Sequence, residues 1–89
     1  MIDIAAQFGA NVIRARNRAD LSQEELSLRA SLHRTEVSQV ERGLRLPRVD
    51  TLIKLRDALE ISADELLVGI VWRIGDYRPG GFVEREEGP

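Results

Sequence analysis

Apolar and polar positions alternate along this chain in five short helical periods, and then the pattern changes. In "IAAQFGANVIRARNRA", Ala5, Phe8 and Val12 recur at i, i+3 and i+7, one face of a first helix. Arg14, Arg16 and Arg18 follow in its last turns, where cations complement the helix dipole. Ser22 opens "SQEE" with Glu25 three residues on, a capping box that starts a second helix with Leu26 and Ala30 on its apolar side. "RTEVSQVERG" turns Val37 and Val40 inward on a third helix, about Arg34 to Arg42, closed by Gly43 in the left-handed conformation. "LRLPR" is a connector with Pro47 as a breaker, and Leu52, Leu55 and Leu59 mark a fourth helix. Ser62 with Glu65 predicts a second capping box and a short fifth helix through Leu67. Helices this short are marginal alone in water, so they must share one core. The expected fold is a compact all-α domain over residues 1–68 with short connections.

Beyond Val68 the period changes. "IVWRIGDYRPGGFVE" is rich in β-branched and aromatic residues, and "RPGG" is turn punctuation. Residues 69–89 therefore read as a C-terminal arm, extended or a β-hairpin, with "EREEGP" expected to be disordered. Trp72, Tyr77 and Phe82 are three of the four aromatic residues in the chain. Two uses for them are open: folding back over helices 1 and 5 to complete the core, or pairing across a two-fold axis as a dimer arm.

Composition narrows the function. The 89 residues make one domain, with 43% apolar and 31% charged positions, as in ordinary soluble chains. The absence of cysteine excludes disulfides and thiolate metal sites, and fits a reducing cytoplasm. No apolar run suffices to span a bilayer and no signal peptide is visible, so the expected location is cytoplasmic. The net charge of -2 hides a division: residues 14–48 carry eight Arg against five acids, whereas residues 49–89 carry five basic and nine acidic side chains. Arginine presents a planar fork suited to phosphates and guanine edges. A solvated polar surface would give the same charges, so position must decide. His33 is the sole histidine and lies in no catalytic arrangement; no phosphate-binding glycine loop or metal spacing is present. No enzyme activity, cofactor or metal is expected.

"LSQEEL", "HRTEVSQVERGLRLPRVDTLIKLRDAL" and "SADELL" together resemble the lambda-repressor-like (Cro/repressor, XRE-type) helix-turn-helix proteins, from about Phe8 to Leu67. The resemblance implies that Gln23 opens the second helix against a DNA phosphate and that the third helix lies in the major groove. Arg34, Thr35, Ser38 and Gln39 lie opposite Val37 and Val40 and are free to meet base edges, Arg34 on guanine and Gln39 on adenine. His33, Arg42, Arg45 and Arg48 are expected on phosphates, Arg48 with reach toward the minor groove. The family pattern also implies an ion pair between Arg16 and Glu41 that ties helix 1 to the third helix. Ser31 stands where the family has glycine, His33 and Arg48 stand where capping residues are usual, and Glu36 adds a negative charge near DNA. The function implied is sequence-specific binding of double-stranded DNA by a small transcriptional regulator, a homodimer on a palindromic operator. The rival reading is an antitoxin or other protein-interaction module on the same fold.

Overall fold

The computed structural model describes residues 2–75 and 79–84. Tyr77 of the candidate arm, and the tail from Arg85, lie outside the described residues. Five helices and a two-stranded hairpin follow one another: α1 (Ile4–Arg18), α2 (Gln23–Ala30), α3 (Arg34–Glu41), α4 (Val49–Leu59), α5 (Ala63–Leu66), β1 (Ile70–Arg73) and β2 (Gly81–Glu84).

Each start has a local cause. Asp3 caps α1, its carboxylate accepting from the Ala6 amide at 3.1 Å. At α2 the capping box is complete: Ser22 Oγ accepts from the Glu25 amide at 3.0 Å, and Glu25 Oε1 accepts from the Ser22 amide at 2.9 Å. The Ser22 amide, and after it the hydroxyl, hold the Glu25 carboxyl below its ordinary pKa. At α5 only half the expected box forms. Ser62 Oγ accepts from the Glu65 amide at 3.3 Å, and Glu65 instead lines a surface hollow with Arg14 and Arg18 of α1. α3 stops at Glu41 and α5 at Leu66, each one residue short of its expected end, with Arg42 and Leu67 as the caps. Gly43 follows α3 at φ +71°.

The helices enclose one apolar cluster in which Phe8, Val12, Leu26, Val37, Val40, Leu55, Leu59 and Leu66 are all buried. Ala5 and Leu52, read from the sequence as inward, are only half-buried at its rim.

The arm is an antiparallel hairpin, with Ile70 opposite Glu84, Val71 opposite Val83, Trp72 opposite Phe82 and Arg73 opposite Gly81. Glu84, the last residue of the expected "FVE" strand and the first of "EREEGP", belongs to β2. Ile70 packs against the helical core, but Trp72 is 53% and Phe82 37% exposed. The two rings meet edge to face, centroids 5.1 Å apart. They do not complete the monomer core; they cover each other. The molecule is correspondingly elongated, 45 × 27 × 19 Å.

Candidate nucleic-acid interface

α2 and α3 are joined by three residues, and the corner between them is set by the backbone. Ser31 adopts the left-handed conformation at φ +53°, ψ +45°. This turns the chain so that the Leu32 amide donates back to the Ser27 carbonyl at 2.9 Å. A residue with a Cβ carries about 1 kcal/mol of strain there. His33 precedes α3 with extended backbone, and its side chain makes no cap bond.

The inward face of α3 is Val37 and Val40. Its outward face carries exposed Arg34 and Thr35 and half-buried Ser38 and Gln39. With Gln23, Arg42 and Leu44 these four line one open hollow of about 340 Å³. Arg45 Nη1 donates to Gln39 Oε1 at 3.3 Å, which holds that amide over the hollow. Arg48 pairs with Asp50 at 3.0 Å, both side chains largely in solvent. Among the described residues, Arg34, Arg42 and Arg45 have no carboxylate in ion-pair range, so their charge is not neutralised. Glu36, half-buried in the first turn of α3, is the one acid on that segment ahead of Glu41.

Beneath this face sits a buried polar cluster. Arg16 Nε donates to Glu41 Oε2 at 2.6 Å and Arg16 Nη2 to Glu41 Oε1 at 3.1 Å. Arg16 Nη1 donates to the Leu21 carbonyl at 2.9 Å, and Gln23 Nε2 to Glu41 Oε1 at 2.8 Å. The Glu41 side chain is 2% exposed, and both its oxygens are satisfied. One carboxylate therefore binds α1, α2 and α3 together. It also holds the Gln23 amide, so that this residue both lines the hollow and belongs to the junction.

The helix-turn-helix family model matches residues 12–66, more than half of the chain. The chain belongs to the helix-turn-helix family. Its relatives include the control protein C.BamHI of Bacillus amyloliquefaciens, 36% identical over 66 residues, which cover 73% of this chain and 82% of that one. The control protein C.SmaI of Serratia marcescens is 42% identical over 66 residues, covering 74% and 79%. Among solved structures, the restriction-modification controller protein C.AhdI of Aeromonas hydrophila superposes with a TM-score of 0.68 at 37% identity, covering 70% of this chain and 94% of that one.

Two residues of this helix-turn-helix protein escaped the sequence pattern. Gly9 is buried in mid-α1, where a Cβ would lie 2.4 Å from the Val40 carbonyl oxygen and 2.6 Å from that of Glu41. Only glycine lets α3 approach α1 so closely. Asn11 is 1% exposed on the apolar side of α1. Its Nδ2 donates to the carbonyls of Leu66 at 2.8 Å and Val68 at 2.9 Å, and its Oδ1 accepts from Gln7 and Arg14. A glycine inside a helical period and an asparagine in its apolar stripe were the available signals.

Proposed function

We propose that this protein is a small transcriptional regulator that binds double-stranded DNA by laying α3 in the major groove, as a homodimer on a palindromic operator. The observation that carries this reading is the outward face of α3. It gathers a guanidinium, two hydroxyls and an amide over one open hollow, rimmed by arginines without acidic partners. Arg34, Thr35, Ser38 and Gln39 read base edges. Arg42, Arg45 and Arg48, with His33 and the start of α2 at Gln23, hold the phosphates and set the register. For Arg48 this means exchanging Asp50 for phosphate, a small cost because that pair is exposed. The control proteins to which the chain is similar support regulation over the antitoxin reading. No catalytic step, cofactor or metal belongs to this function. Among the described residues no helix is long and apolar enough to cross a membrane, and a cytoplasmic location fits a DNA-binding role.

Two half-sites in one face of the duplex lie about one helical turn, roughly 34 Å, apart, which is why a two-fold pair of α3 helices suits a palindrome. Footprinting of the purified protein on genomic fragments, followed by a salt titration on the best site, tests the reading. Arg34→Ala should cost about 1–3 kcal/mol on that site and relax one base pair. Arg45→Ala should weaken all sequences and lower the salt slope by about one. Equal loss on specific and random DNA with Arg34→Ala would remove α3 from the base-reading role.

A further inference from the structure

We infer that the aromatic face of the β1–β2 hairpin is the surface through which two copies of this chain associate, held at a fixed angle to α3 by the Asn11 clamp. This rests on the homodimer reading above and names its interface.

The hairpin lies beyond residue 66, where the family match ends, so the shared helical domain does not account for it. Strand alternation puts Ile70, Trp72 and Phe82 on one face. Ile70 turns into the core, while Trp72 and Phe82 remain exposed at 53% and 37%, next in the chain to Val68 at 51% and Ile74 at 84%. Together with Leu67, these side chains leave on the order of 500 Å² of apolar surface in water, as large as the largest patch of an ordinary monomer. Isolated two-stranded hairpins are marginal, and among its described residues only Ile70 packs against the core cluster.

A second copy is the occupant that fits. The apolar area is most of the roughly 800 Å² per partner of a standard interface, without recruiting other elements. Another run of exposed apolar residues, Leu44, Leu46, Val49 and Ile53, is interleaved with Arg45, Arg48, Asp50 and Lys54 and adjoins the phosphate-holding loop. It is the poorer dimer surface and the one that DNA would crowd. The clamp completes the device. Asn11 grips the carbonyls of Leu66 and Val68, the residues from which the hairpin departs, and sits on the helix whose Gly9 seats α3. The hairpin face and the reading face are thereby fixed to one rigid helix.

The test uses the full chain. Sedimentation of the wild type should give twice the chain mass across the micromolar range, and Trp72→Glu with Phe82→Glu should give a folded single chain. Circular dichroism confirms the fold, since neither ring belongs to the core. On a two-half-site operator the double variant should lose cooperativity and at least tenfold in affinity, while its binding to a single half-site stays unchanged. The chain has no cysteine, so Ile74→Cys supplies one thiol, which should oxidise to a disulfide-linked dimer that still binds operator. Leu28→Cys, also largely exposed but on α2, should not. A double variant that stays dimeric overturns the hairpin interface and leaves the homodimer standing. A wild-type single chain overturns both, whatever other protein covers the hairpin, and DNA binding by that single chain would leave the α3 reading intact.

Discussion

The helical body and the hairpin arm hold their shapes in opposite ways. The body is specified redundantly: a buried aliphatic cluster, capped helix starts and a buried carboxylate shared by three helices all enforce one arrangement. The arm has one core residue, one aromatic pair and a two-strand ladder. Its position comes from outside itself, through Asn11. A region can therefore be well placed without being independently stable, provided that its root is gripped by something that is.

Substitutions at five positions would break or sharpen this contrast. The largest effect belongs to the ion pair under α3. Removing Arg16 or Glu41 alone should destabilise the body by about 3–5 kcal/mol, because a charge is left buried without its partner. The double replacement should cost less than the two singles added, which a urea-denaturation cycle measures; strict additivity would mean that the two do not couple. Gly9→Ala comes next, at about 2–3 kcal/mol, because the new methyl meets backbone carbonyls that cannot turn aside. Operator affinity should fall with it, as α3 is pushed outward. Asn11→Ala should cost about 2 kcal/mol, because the Leu66 carbonyl loses its side-chain donor and the Val68 carbonyl keeps only Gln7 Nε2 at 3.4 Å. Its signature is regional: amide exchange in β1 should rise far more than in α3, whereas uniform acceleration would show that arm and body are not separable. The smallest effect is Trp72→Ala, within about 0.5 kcal/mol in dilute monomer, because the ring is half in water and outside the core. A larger loss would mean that the arm supports the body.

The same contrast explains what could be read from the sequence. The body was legible because its signals are local and periodic. The Ser22–Glu25 box and the Val37/Val40 spacing each determine their own neighbourhood, the left-handed turn at Gly43 follows from its residue type, and the one at Ser31 was implied by the family resemblance. The hairpin was legible as strands but not in its placement. Two uses of Trp72 and Phe82 fitted the sequence, and their exposure depends on how α1 and α5 already fill the core. Gly9 and Asn11 were passed over for a related reason. Both act at contacts more than thirty residues away in the chain, where no period reports them. On the candidate reading face, which residues point outward was plain from Val37 and Val40. That Gln23 turns inward to Glu41 was not, because it needs the three-helix junction to exist first.

The Asn11 grip has one more consequence. It recognises carbonyl oxygens, groups that every amino acid supplies, and makes no demand on the side chains of Leu66 and Val68. The joint between body and arm is thus indifferent to what hangs from it. Another C-terminal extension spliced in after Gly69 would leave the body at the same angle, with its own shape and its own preferred companion. A helix-turn-helix chain with such a socket can exchange one pairing element for another while keeping the helix that faces DNA.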